Sequence, residues 1–147
     1  MSISDLYTSG QHQQEIGQFA SIVSIAIADN KLTDGEERLL IRTAKRLNIS
    51  DEEFKQILKN PKAYPVNPPV SYEESIERLF QLTTMIFADD EVSKDEVVLM
   101  RKIAIALGFP LVNVEKVCDE AIHLVMNDND LDDFIEAIKE VNDTKRQ

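Results

Sequence analysis

The chain has 147 residues, 43% of them hydrophobic, with 27 acidic and 16 basic side chains and a formal net charge of -11. That length and apolar content suit one domain with one core. The charge argues against a nucleic-acid backbone, which needs clustered Lys and Arg, and against an anionic membrane surface. Cations, basic partners and plain solubility remain.

Gly is scarce, at 4 residues, and the apolar residues fall at helical spacing, so the fold class is all-α. From His12 to Ala28 the pattern predicts a helix with Ile16, Phe19, Ile22, Val23, Ala26 and Ile27 inward, and a further turn is indicated around Ile3 to Tyr7. Its last ten residues are apolar nearly all round, as in a helix inside a bundle. A tight loop, Asp29 to Leu32, precedes a helix from Thr33 to about Leu47 with Leu39, Leu40, Thr43, Ala44 and Leu47 on one face. Ser50 is placed to cap a short helix burying Phe54, Ile57 and Leu58, which ends before Pro61.

Pro61, Pro65, Pro68 and Pro69 preclude regular helix through residues 60–71, because each removes a donor and fixes φ. This stretch reads as a connector packed by Tyr64 and Val66. The Pro65/Pro68 pair lacks the basic flanks of an SH3 ligand. A helix from Tyr72 to Ala88 follows, then a loop from Asp89 to Val92 and a helix from Ser93 to about Leu107. Gly108 is a left-handed helix stop. Pro110 is predicted to open the next helix, which runs to about Asn127. A last helix, 131–142, buries Leu131, Phe134, Ile135 and Ile138, and the chain frays beyond it. The expected architecture is one bundle of about seven helices spanning residues 1–147. Unit one (12–59) and unit two (72–127) are pseudo-repeated helix–loop–helix units around a buried helix.

The repeat is explicit. Ala28-Asp29-Asn30-Lys31-Leu32-Thr33-Asp34-Gly35-Glu36 recurs 60 positions later as Ala88-Asp89-Asp90-Glu91-Val92-Ser93-Lys94-Asp95-Glu96. The register links Ile16/Ile76, Phe19/Leu79 and Ile22/Leu82 upstream, and Leu39/Leu99, Ala44/Ala104 and Leu47/Leu107 downstream, ending near Ile49/Phe109. Thr33 with Glu36, and Ser93 with Glu96, fit the capping box. Capping does not explain Asp29 and Asp89, which fall at helix C-terminal ends where the dipole disfavours an anion. Either loop N–H groups satisfy them, as in an Asx turn, or a cation does. An oxygen-only set of Asp29, Glu36, Asp89, Asp90 and Glu96 suits a hard ion, Ca²⁺ or Mg²⁺.

Other features are more local. Cys118, the single cysteine, lies among Val114, Val117, Ala121 and Ile122 and reads as a buried small hydrophobe. His12 and His123 have no second His at i+3 or i+4, and the Asp128–Asp133 run lacks the Gly and Glu of an EF-hand. Those acids instead suit the start of the last helix, with Asp128 or Asp130 as its cap. No nucleophile elbow or phosphate-binding loop is present. Arg38, Arg42, Lys45 and Arg46 form a basic, solvated helix face. The absence of Lys or Arg in Met1 to Gly10, and an apolar run too short for a bilayer, point to a soluble, cytoplasmic protein.

The residues Ala28 to Thr33 with Glu36, and Ala88 to Ser93 with Glu96, resemble the A-D-G-x-[VIL]-[ST]-x-x-E signature of the tellurite-resistance TerB family. They also resemble the TerB-like domain of some membrane-anchored J-domain co-chaperones. The likeness covers roughly residues 12–125, with Asn30 and Asp90 where the family often has Gly. It implies a helical bundle around a buried central helix, an association with oxyanion and metal stress, and no catalysis. Carried over by position, Asp29, Glu36, Asp89 and Glu96 are the functional candidates. The expected function is therefore a non-enzymatic binding module whose acidic loops engage a divalent cation or a basic protein surface. The alternatives are an interaction protein whose loop acids only cap helices, and a metal-dependent hydrolase.

Overall fold

A computed structural model of the chain describes residues 3–28, 32–64, 66, 68–87 and 92–143. These residues are 80% helical, with seven α-helices and no strand among them. In chain order the helices are α1 (Ile3–Ile27), α2 (Asp34–Arg46), α3 (Asp51–Lys59), α4 (Tyr72–Ile86), α5 (Lys94–Ala106), α6 (Val114–Met126) and α7 (Leu131–Asp143), with 3₁₀ turns at Pro61–Ala63 and Leu111–Asn113. No helix among the described residues is long and apolar enough to cross a membrane. The chain divides into two compact units, Met1–Asn67 and Pro68–Gln147. The boundary falls inside the proline-rich connector.

In unit one, α1 packs against α2, α3 and the 3₁₀ turn 61–63. It is continuous from Ile3, so the predicted helix and the predicted extra turn are one element. Gly10 between them is exposed; a helical glycine costs roughly 1 kcal/mol relative to alanine, too little to break a helix. Phe19, Ala20, Ile22, Val23 and Ala26 are fully buried, whereas Ser21, Ser24 and Ile27 are half-buried. Phe19 meets Phe54 of α3 at a ring separation of 6.0 Å.

In unit two, α4 packs against α5, α6 and α7, and α6 packs against α5 and α7. Phe134 of α7 presents its ring edge to Phe80 of α4, with centroids 5.0 Å apart. The Thr83 hydroxyl, within the core, donates to the Leu79 carbonyl at 2.6 Å. That bond removes the penalty for burying a polar group.

The 60-residue register is reproduced in three dimensions. Helices α2 and α5 begin and end 60 positions apart, after Thr33 and Ser93 as N-caps. Both stop in the same way. Asn48 (φ 58°) and Gly108 (φ 94°) adopt the left-handed conformation. The next N–H reaches back to the third-last helical carbonyl, Ile49 to Ala44 at 2.9 Å and Phe109 to Ala104 at 3.1 Å. This is the Schellman geometry, and the buried Ile49 and Phe109 supply its apolar lock. Gly108 matches its predicted role, and Asn plays it in the first copy because its short amide tolerates φ > 0.

Two predicted features are corrected. Pro110 does not open α6: its ψ of 135° is extended, and the chain makes the 3₁₀ turn 111–113 before α6 starts at Val114. The register also does not end near Ile49/Phe109. It continues through α3, aligning Phe54 with Val114 and Ile57 with Val117, all four buried.

Candidate functional site

Of the five proposed ligand carboxylates, Asp29, Asp89 and Asp90 lie outside the described residues. Glu36 and Glu96 are both described, and each is only 1% exposed. Their burial follows from the first turn of α2 and α5, where each is the third helical residue. In unit two the Ser93 N–H donates to Glu96 Oε1 at 3.0 Å, and the Glu96 N–H donates to Ser93 Oγ at 3.2 Å. That is a complete capping box. In unit one the Glu36 N–H donates to Thr33 Oγ1 at 3.1 Å, while the Thr33 hydroxyl donates to Glu36 Oε1 at 3.2 Å. One oxygen of each glutamate is thereby bound to a helix start. Asp34, Glu37 and Asp95 accompany them in the first turns, where the helix dipole favours negative charge.

The remaining acids of the C-terminal loop serve the same ends. Asp130 Oδ1 accepts the Asp133 N–H at 2.9 Å and caps α7. Asp128 (φ 57°) is instead the left-handed stop of α6. The Asn129 N–H closes that turn on Leu124 O at 3.0 Å. His12 lies 3.8 Å from Glu53, and His123 sits beside Asn127. Among the described residues, no three His, Cys, Asp or Glu side chains gather as a metal ion would require.

Cys118 is buried as expected, at 1% exposure. Burial pushes its thiol up from the usual 9.0 to about 11, and the charge of Arg101 opposes the shift. Between those two pH values the unfolded chain releases a proton that the folded chain retains, so stability falls as pH rises through that window. Below about pH 8 the group contributes almost no pH dependence. Urea midpoints measured from pH 8 to 11 should therefore decline less steeply in Cys118→Ala than in the parent. Ellman's reagent at pH 8 should modify the thiol only as fast as the chain opens.

Sequence reasoning missed two sites. The first is the outer face of α7. Asp132, Glu136 and Glu140 are exposed at successive i, i+4 positions, opposite the fully buried Phe134 and Ile138. The only cation in α7, Lys139, donates to Glu73 of α4, and this pair holds the Glu73 carboxyl below its ordinary range. At the end of the same helix, Asn142 Oδ1 accepts from Asn113 Nδ2 at 2.9 Å, and Asn142 Nδ2 donates to the Tyr72 hydroxyl. Tyr72 lies edge-on to Phe109 at 6.3 Å. Val70, Leu111 and Val112, near Tyr72 and Asn113 in sequence, are exposed. A period-four count of acids along residues 131–143 was the available signal.

The second missed site is a cleft of about 510 Å³ in unit one, between α1, α3 and the 3₁₀ turn. His12, Gln13, Ile16 and Gly17 line it from α1, Glu53 from α3, and Ala63 and Tyr64 from the turn. Glu53 is held there by its own capping box, with the Ser50 N–H donating to Glu53 Oε1 at 3.0 Å.

Compared with known protein families, curated proteins and solved structures, the chain matches none of them.

Proposed function

We propose that the chain is a non-enzymatic, TerB-like binding module that engages a basic protein partner through the acidic outer face of α7. The observation that carries this reading is the stripe Asp132, Glu136 and Glu140. Like charges one helical turn apart repel, and α7's single cation is engaged with Glu73. A partner bearing Lys or Arg relieves that repulsion on binding. Residues 68–147 carry 18 acidic and 8 basic side chains, against 9 and 8 in residues 1–67, so the long-range field steers a basic partner to unit two. The resemblance at residues 28–36 and 88–96 supports a module of the kind associated with tellurite and metal stress.

The divalent-cation reading draws on Asp29, Asp89 and Asp90 together with Glu36 and Glu96. The caps engage one oxygen of each of the last two, and the protein-partner reading rests instead on the α7 stripe.

The test is binding of a Lys- and Arg-rich peptide by calorimetry at several salt concentrations. We expect affinity to fall steeply with salt. Reversing the stripe with Asp132→Lys, Glu136→Lys and Glu140→Lys should weaken binding at least tenfold while leaving the helical circular dichroism intact. An unchanged affinity in that variant would remove the reading. As a second arm, millimolar Ca²⁺ or Mg²⁺ should leave Tm unchanged. An ion held at a hundred times its Kd would instead add about 2.7 kcal/mol, and that result would restore the cation reading.

A further inference from the structure

The extended register shows what unit one lacks. Along it, His12, Gln13, Ile16 and Glu53 of the cleft correspond to Tyr72, Glu73, Ile76 and Asn113 of unit two. Three of those counterparts fasten the C-terminal half of α7: Glu73 accepts from Lys139, Tyr72 accepts from Asn142, and Asn113 donates to Asn142. Unit one has no counterpart of α7 among its described residues. Its α3 stops at Lys59 ahead of Pro61, and the short turn 61–63 packs on α1 and α3 instead. The turn is shorter than a helix, and Gly17 stands where unit two has Glu77. The cleft is the space left over. Its volume of about 510 Å³ is within the range of ligand clefts, about 300–1,000 Å³.

We propose that this cleft is a docking seat for one amphipathic helix of a partner protein, with its apolar stripe on Ile16 and Ala63 and a Lys or Arg directed at Glu53. The internal repeat supplies the shape argument: an amphipathic helix occupies the corresponding seat in unit two, and it is fastened there by a lysine–carboxylate pair. Charge supplies the second argument. The acid moves from the α1-equivalent wall, where Glu73 becomes Gln13, to the opposite wall, where Asn113 becomes Glu53. Glu53 Oε2 is within 3.8 Å of His12 at the cleft, and its side chain is 40% exposed, so an incoming cation reaches it without displacing the cap. This seat lies in unit one, apart from the α7 stripe, and goes beyond the function proposed above.

The test uses the full chain and a labelled 13-residue peptide. The peptide has the sequence of residues 131–143 with Asp132, Glu136 and Glu140 replaced by Lys, and with Lys also at position 142, whose Asn meets Asn113 in unit two; it keeps Phe134, Ile138 and Lys139. The seat in unit two is already filled by the tethered α7, whose local concentration is of millimolar order. We expect saturable binding by fluorescence anisotropy, with amide shifts at Ile16, Ala63 and Tyr64. Gly17→Gln, which fills the cleft, should abolish binding. Glu53→Gln retains a capping acceptor and should weaken binding about threefold, the scale of a surface ion pair; it decides the matter if Gly17→Gln fails to fold. Reversal of the α7 stripe should not lower the affinity, so failure of this proposal is distinguishable from failure of the previous one. Absence of binding at millimolar peptide, indifference to Glu53→Gln, or shifts centred on Tyr72 and Phe109 would each overturn it. Equal binding of the unmodified acidic peptide would also overturn it, by assigning the seat to α7 of a second copy.

Discussion

Phe134→Ala is expected to destabilise the protein by about 3–5 kcal/mol, the range for removing a fully buried aromatic ring. Phe134 has no solvent-accessible surface and is the largest side chain that α7 contributes to unit two. Its ring edge rests on Phe80, a geometry worth roughly 0.5–1.5 kcal/mol beyond area burial. Helix α7 is 13 residues long, close to the marginal length for an isolated helix in water, about 12–15 residues. Its helicity therefore depends on this docking. The expected readout is a Tm lowered on the order of 10 °C, together with lost protection of amides 131–143 in hydrogen exchange. Phe80→Ala should cost less, because Phe80 is only half-buried. A fall below 1 kcal/mol for Phe134→Ala would mean that α7 is not held by its apolar face.

Phe19→Ala is expected to be comparably severe, at about 3–5 kcal/mol, and to act on unit one. The ring lies midway along α1, is fully buried and meets Phe54 of α3 at 6.0 Å. Unit one has three helices and a short turn around this residue, so few neighbours can shift to fill the void. In urea the variant should show a lower midpoint. Amide protection should be lost first in α1 and α3. A double-mutant cycle with Phe54→Ala should return a favourable coupling, and additive costs would show that the two rings do not support one another.

Much of this fold was legible because helices announce themselves through spacing and punctuation. The 60-residue repeat placed α2 and α5, and their N-caps at Thr33 and Ser93, directly from residue types. Ser50 before α3 and Gly108 after α5 were equally plain, since each meets a backbone requirement that few residues satisfy. Pro110 was less so. Proline is compatible with a first helical turn and with extended entry into a 3₁₀ turn, and its φ of -58° suits both. The turn that follows carries Asn113, whose bond to Asn142 spans 29 positions.

The candidate site was less legible for a related reason. Glu36 and Glu96 stood out as repeated acids, yet repetition of a cap and repetition of a ligand have the same appearance in one dimension. Burial and bond partners separate them. The cleft at His12 and Glu53 joins side chains 41 positions apart in sequence. Its walls are set by the packing of α3 and the 61–63 turn on α1, which no local residue pattern encodes.

Duplication is usually pictured as yielding two of the same part. Here the two copies end differently: α3 stops ahead of Pro61 in the first, while α7 closes the second. One half completes itself from its own chain, and the other keeps a gap of matching outline. A fused pair of this kind carries its own template for whatever fills that gap, so the intact half prescribes the outline of a guest for its incomplete sibling.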